Sequence, residues 1–354
     1  MDLSAYGWNE DWERLFREAG IPVGHPARIV AEHRGSYRVR APEGEMSARV
    51  TGRFRHAASG PADLPAVGDW VVIESDGGGE AVIHAVLPRA AKFSRKTAGA
   101  RTEEQVVAAN VDTVWIVSAF GYDLNPSRIE RYIALVRQGG ASPVVVLTKA
   151  DLADETERTV EELGLRLADT PVHAVSALCD SGLDPLRAYL APGRTIALLG
   201  STGAGKSTLL NRLAGREVMA TAGLRKGVEK GRHKTTHRQL VLLPSGGLLL
   251  DTPGMRELQL WEADEGIATS FADIDALADG CRFRDCTHES EPGCAVRAAV
   301  EAGDLPQERL DSFHKLKKEA AYFDRKLDVR SAMEKERRMK WIAKERRRYF
   351  NKKD

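Results

Sequence analysis

Gly200-Ser201-Thr202-Gly203-Ala204-Gly205-Lys206-Ser207 is the stretch that decides the reading of this chain. It fits G-x-x-x-x-G-K-[ST] at every fixed position, follows the apolar run 195–199 and leads into the helix-like run 207–213. Strand, glycine loop and helix form the context such a loop requires. The glycines let backbone N–H groups turn inward around phosphate oxygens, and the helix N-terminus adds partial positive charge at the same point. The pattern sets Gly200, Ser201, Thr202, Gly203, Ala204, Gly205 and Thr208 around phosphates. Lys206 is expected on the β- and γ-phosphates, and the Ser207 hydroxyl on Mg²⁺.

Toward the C-terminus, Asp251-Thr252-Pro253-Gly254 follows the apolar run 248–250. Asp251 is the expected second metal-side group, acting through water, and the Gly254 N–H can sense the γ-phosphate. The intervening stretch 227–239 is rich in Gly, Lys and Arg and contains Thr235-Thr236. One of these threonines can coordinate Mg²⁺ in the triphosphate state and lock the segment, as in a switch. Thr236 is favoured, although spacing alone leaves both open.

Toward the N-terminus, Thr148-Lys149-Ala150-Asp151 ends the apolar run 144–147, where α/β folds present ligand groups. An Asp there can accept both the N1–H and the N2 amino hydrogens of guanine. Adenine lacks that donor pair and would leave Asp151 desolvated and unpaired. Lys149 can lay its stem against the base. Ser176-Ala177-Leu178 follows the run 172–175, and the Ala177 N–H can reach guanine O6. The base-reading pair thus precedes the phosphate loop, so the motif order is permuted. Permutation is tolerated where termini lie at the surface.

The rest of the chain fits around this core. Apolar runs at 112–119, 144–147, 172–175, 194–199 and 247–250 alternate with helical patterns at 128–138, 155–163, 184–189 and from Lys206, implying a doubly wound α/β sheet. Residues 1–25 carry Trp8, Trp12, Leu15 and Phe16 at helical spacing. Residues 26–92 hold candidate strands at 27–32, 36–41, 45–51, 69–74 and 81–87, separated by Gly- and Pro-containing breakers. Five short strands suit an OB-fold barrel. Arg28, Arg34, Arg38, Arg40, Arg49, Arg53 and Arg55 dot this region. A nucleic-acid groove is one reading, with Tyr37 or Phe54 to stack on a base; a solvated face is the other. Residues 90–110 read as a polar linker.

Beyond position 261 the chain turns helical and polar. Cys281-x₄-Cys286-x-His288-x₅-Cys294 supplies a Cys₃His set, which fits one closed, structural Zn²⁺ site. Cys179 stands apart and reads as a small core residue. From His314 to Asp354 there are sixteen Lys/Arg against seven Asp/Glu, so a basic helical tail is expected to meet RNA phosphates even though net charge is only +1.

With these motifs in hand, the chain resembles the RsgA/YjeQ family of circularly permuted, small-ribosomal-subunit-dependent GTPases over nearly its whole length. The resemblance implies a multidomain protein. Its parts are a helical extension (1–25), an OB-fold barrel (26–92), a circularly permuted α/β P-loop GTPase domain (93–262) and an α-helical zinc-binding domain with a basic tail (263–354). It implies GTP hydrolysis stimulated by the small ribosomal subunit and a role in that subunit's late maturation, with GTP/GDP, Mg²⁺ and one structural Zn²⁺ bound. The partners implied are the small subunit and its rRNA. Thr148 departs from the usual Asn, so weaker bracing of the phosphate loop and weaker nucleotide affinity are expected. Met255 stands where many GTPases place a water-orienting Gln. Slow intrinsic turnover follows, with His233 or His237 as the water-positioning group; the resemblance favours His233.

The 354 residues exceed what one core usually supports, which agrees with more than one domain. No run of about 18 apolar residues suggests a membrane span, and the polar, acidic start lacks the pattern of a secretory signal. A cytoplasmic monomer is the expectation. Two rivals remain at this level: an ATP-using P-loop enzyme acting on nucleic acid, and a GTP-gated RNA-binding module with negligible catalysis.

Overall fold

The computed structural model describes residues 3–21, 24–33, 35–75, 79–96, 104–167, 169–219, 238–251, 270–318 and 321. The chain divides into two compact units, Met1–Gln259 with Thr269–Ala272, and Leu260–Ala268 with Asp273–Asp354.

In the first unit, helix α1 (Glu10–Glu18) begins where the Asn9 side chain accepts from the Trp12 N–H, with Glu10, Asp11 and Glu13 against the positive end of the helix dipole. Trp12, Leu15 and Phe16 form its apolar stripe and pack on the Trp70 cluster. Trp8, which the spacing also placed on the helix, lies ahead of the Asn9 cap but joins the same cluster. The Trp8 and Trp12 ring centroids lie 4.7 and 6.1 Å from that of Trp70. Strands β1 (His25–His33), β2 (Ser36–Ala41) and β3 (Gly44–Val50) are followed by helix α2 (Gly52–Ala57) and by β4 (Trp70–Ser75) and β5 (Glu80–Val86). They close a five-stranded barrel in the order β1-β2-β3-β5-β4-β1. The alternating positions Val39, Ala41, Val71, Ile73, Ala81 and Ile83 are fully buried inside it.

Two of the sequence-proposed groove residues are internal. Tyr37 is buried, which drives its phenol up to about 12, so it cannot stack on a base. Arg28 is buried too. Its guanidinium donates to Gly68 O (3.2 Å), Asn110 O (3.0 Å), Thr195 Oγ1 (2.9 Å) and the Tyr6 carbonyl, and it stands over the Trp70 ring. Burial lowers its pKa to about 10. Arg38 and Arg49 do lie on an exposed face, paired with Glu45 and Glu80.

The expected linker contains an antiparallel ribbon, β6 (Lys92–Lys96) with β7 (Glu104–Ala109). Phe93, Val106, Val107, Ala108 and Ala109 are buried, so the apolar half of each strand packs inward despite the polar residues around it.

Beyond it lie β8 (Thr113–Ala119), α3 (Pro126–Gln138), β9 (Ser142–Thr148), α4 (Thr156–Arg166), β10 (Val172–Val175), α5 (Asp184–Arg187), β11 (Thr195–Gly200), α6 (Lys206–Ala214), β12 (Arg238–Leu242) and β13 (Leu248–Asp251). The sheet order is β10-β9-β8-β11-β13-β12, with the first five strands parallel and β12 antiparallel. Trp115, Val117, Val144, Val146, Ile196 and Leu249 pack with Leu209, Leu210 and Leu213 of α6. Strand β12, absent from the sequence reading, also pairs with β1 of the barrel (Ala31↔Gln239, Glu32↔Arg238), and Arg238 Nη1 lies 2.7 Å from Glu32. Barrel and α/β sheet therefore form one continuous eleven-stranded sheet.

The second unit carries α7 (Ala272–Ala278), α8 (Ala295–Ala302) and a helical run at 307–318. Buried Arg309 joins the last of these to Asp273 of α7 (Nε–Oδ2 2.5 Å). Among the described residues, no helix is long and apolar enough to cross a membrane.

Candidate functional site

Because β10, β9, β8, β11 and β13 run parallel, their C-terminal ends share one edge of the sheet. Val175 faces Thr148, Thr148 faces Ala119, and Val117 faces Gly200. Asp251 ends β13 on the far side of β11. The base-side stretches and the phosphate loop, far apart in the chain, are thereby neighbours at the crevice where open α/β sheets bind ligands.

At the loop, Gly200 has φ +143°, and a Cβ there would fall 2.1 Å from the Val117 carbonyl oxygen. Only glycine lets β11 leave the sheet so close to β8. Gly203 and Gly205 also have positive φ, at 87° and 86°, and α6 starts at Lys206. Ala204 is buried, Thr202, Gly203 and Thr208 are exposed, and Ser207 is half-buried. The Lys206 ammonium donates to the carbonyls of Gly200 (2.9 Å) and Ser201 (2.5 Å).

Two neighbouring strand ends grip this loop. Thr148, at the end of β9, donates from Oγ1 to Ala204 O at 2.6 Å. The threonine that departs from the usual Asn thus does brace the loop, through one hydroxyl. Asp123, just beyond β8, accepts from Ser201 Oγ at 2.6 Å. Its carboxyl also accepts from the Ala119 N–H (2.9 Å) and Arg128 Nη2 (2.9 Å). Partial burial pushes the Asp123 carboxyl up, but hydrogen bonds from Ser201, Ala119 and Arg128 outweigh this and hold it below its ordinary value. Sequence reasoning missed Asp123; its signal was an acid four residues past a buried parallel strand beside the loop.

On the base side, Lys149 adopts φ +61° and turns the chain into the short 3₁₀ helix Ala150–Leu152. Asp151 is exposed, and its Oδ1 accepts from buried Ser176 Oγ at 2.5 Å. Ser176 Oγ in turn accepts from the Cys179 N–H at 3.1 Å. The hydroxyl fixes one carboxylate oxygen of Asp151 and ties the two base-side stretches together, with half-buried Ala177 beside them. Cys179 is exposed rather than in the core, because 177–180 form a turn outside the sheet.

In the second unit, Cys281, Cys286, His288 and Cys294 bring one ligand atom each within 4.8 Å of one another. Cys281 Sγ and Cys294 Sγ lie 3.6 and 3.4 Å from His288 Nδ1 and 3.9 Å from each other. Bonds of about 2.3 Å to a tetrahedral Zn²⁺ would space sulfurs by about 3.8 Å, so the set fits that ion. His288 stands at φ +62°, in a turn organised by Glu291, which accepts from the N–H groups of Thr287, Glu289 and Ser290. The Thr287 hydroxyl, with the N–H groups of Thr287, Glu291 and Ser290, pulls the Glu291 carboxyl down to about 2.

His233, Thr236 and Gly254, together with Thr235, His237, Met255 and the tail from 322 onward, lie outside the described residues.

Comparison with known proteins accords with this geometry. The sequence model of the RsgA GTPase family matches residues 86–261. The "Small ribosomal subunit biogenesis GTPase RsgA" of Opitutus terrae is 46% identical over 338 residues, covering 93% of this chain and 92% of that protein. The protein of the same name from Methanosarcina acetivorans is 44% identical, covering 94% and 89%. Among solved structures, YjeQ from Thermotoga maritima superposes with a TM-score of 0.63 at 28% identity, covering 83% of this chain and 97% of that one. YloQ, described as a circularly permuted GTPase, gives a TM-score of 0.59 at 26% identity, covering 84% and 96%. With a sheet edge that gathers the permuted motifs and relatives matched along nearly their whole length, this chain belongs to the RsgA GTPase family.

Proposed function

We propose that this protein hydrolyses GTP when docked on the small ribosomal subunit and so assists a late step of that subunit's maturation. The observation that supports the reading is the Thr148–Ala204 hydrogen bond at 2.6 Å, which ties the strand end that leads into Lys149–Asp151 to the glycine loop. In this reading Asp151, held by Ser176, pairs with guanine, Lys149 flanks the base and the Ala177 N–H meets O6. The N–H groups of 200–208 and the Lys206 ammonium hold the phosphates, where fixed donors stabilise charge developing on transfer. Ser207, Asp251 and Thr236 would hold Mg²⁺, which when bound neutralises phosphate charge. Gly254 reports the γ-phosphate, and His233 orients the attacking water where Met255 cannot.

The barrel order β1-β2-β3-β5-β4-β1, with a helix between β3 and β4, supports an OB-fold over 26–92. That fold and the basic tail are the rRNA-facing parts in this reading, flanking a GTPase domain over 93–262. In this reading 263–354 is the zinc-binding domain, and the Cys₃His set, compatible with one structural Zn²⁺, supports it. The protein acts as a cytoplasmic monomer apart from its ribosomal partner.

The test is phosphate release from GTP by the full chain with purified small subunits, with large subunits and with neither. Stimulation by small subunits alone is expected; equal rates in all three mixtures would refute the reading.

A further inference from the structure

We propose that Asp123 is a positioning residue for the phosphate loop, fixing Ser201 at its first variable position and, through the Ser201 main chain, the seat of the Lys206 ammonium. The proposal rests on the nucleotide reading above and assigns a role outside the loop itself.

The argument begins with what holds Asp123. Its Oδ2 accepts from the N–H of Ala119, the last residue of β8, and its Oδ1 from Arg128 in the first turn of α3. Its carbonyl accepts from the Ser118 hydroxyl at 3.0 Å and from Arg128. Main chain and side chain are therefore anchored to two regular elements, and the carboxylate is only 15% exposed. From that anchor Oδ1 reaches Ser201 Oγ at 2.6 Å.

The loop needs such a hold. With glycines at 200, 203 and 205, its own backbone restrains it weakly. Thr148 pins the downstream end at Ala204 with one neutral hydroxyl. Asp123 pins the upstream end at Ser201 with a charge-assisted bond, the stronger kind. The Ser201 carbonyl, fixed by that bond, accepts from Lys206 Nζ.

Orientation of the hydroxyl matters as well. An ionised carboxylate only accepts, so the Ser201 hydroxyl directs its O–H at Asp123 Oδ1, which fixes the Ser201 side chain in one orientation.

The experiment measures equilibrium binding of GDP to the full chain carrying Asp123→Ala, Ser201→Ala, both, or Ser201→Thr, with unfolding midpoints taken without nucleotide. Each alanine variant should bind GDP about tenfold more weakly, as expected for one lost charge-assisted bond. The double variant should be no worse than the weaker single, and Ser201→Thr, which keeps the hydroxyl, should restore affinity. Ser201→Ala retains the Asp123 contacts to Ala119 and Arg128, so its result stands even where Asp123→Ala lowers the unfolding midpoint. Unchanged affinity in Ser201→Ala, or a double variant whose loss is the product of the two singles, would overturn the proposal. Failure of the unsubstituted chain to bind GDP would instead overturn the nucleotide reading itself.

Discussion

Thr148 is buried at the end of β9 and gives its hydroxyl to Ala204 O at 2.6 Å. Thr148→Val keeps the shape and removes the donor, leaving a buried carbonyl of the loop unpaired. That costs about 1–2 kcal/mol, so nucleotide affinity should fall about tenfold, which isothermal calorimetry with GDP can check. Asp123 gives a pH signature. Its folded-state pKa is lowered, so its contribution to stability is fully present above the unfolded value and disappears as pH falls through the folded one. Unfolding midpoints should therefore show no Asp123-dependent change from neutral pH down to about 4, then drop below it, and Asp123→Asn should flatten that drop. Residues whose chemistry lies in a contiguous string, such as 200–207, were legible from sequence because spacing alone encodes their geometry. Asp123 and Arg28 were not, since each works through partners that only the folded chain supplies, Ser201 and Thr195 among them.

Among elements, the inner parallel strands β8, β9, β11 and β13 announced themselves through apolar runs, as strands buried on both faces do, while half-buried β10 at the edge carries His173. Strands β6 and β12 did not. Lys92–Lys96 is largely polar, and Arg238–Leu242 continues a stretch whose Gly, Lys and Arg content reads as loop. Their strand character comes from partners, β7 for one and β1 with β13 for the other, which is tertiary context overriding local preference. Helix α8 shows the opposite case, an element tied to a ligand set. Cys294 both caps it, accepting from the Arg297 N–H, and belongs to the Cys₃His cluster. Chelation of zinc should therefore remove this helix's start along with the metal site. Expected on adding a strong chelator are loss of helical circular dichroism and loss of about one equivalent of zinc, and Cys286→Ser should do the same without chelator. Unchanged helicity after metal removal would show that the cluster does not support the fold.

At the scale of the whole molecule, the permuted order has a mechanical meaning. The chain enters its phosphate strand late, after both base-side stretches are complete, and Asp251 leads on into the segment that precedes the second unit. On the N-terminal side, buried Arg28 ties the barrel to Thr195 of β11 and to the carbonyl of Asn110, so the two sheets are joined by side chain as well as by ladder.

Strand β12 would otherwise be the outermost strand of the α/β sheet, with a row of N–H and C=O groups open to any passing chain. The barrel's first strand pairs with the start of that row, at Arg238 and Gln239, and so covers part of an edge that would otherwise lie open to self-association. A shortened protein starting near residue 90 would bare it, and light scattering should then report oligomers or aggregates where the full chain stays dispersed.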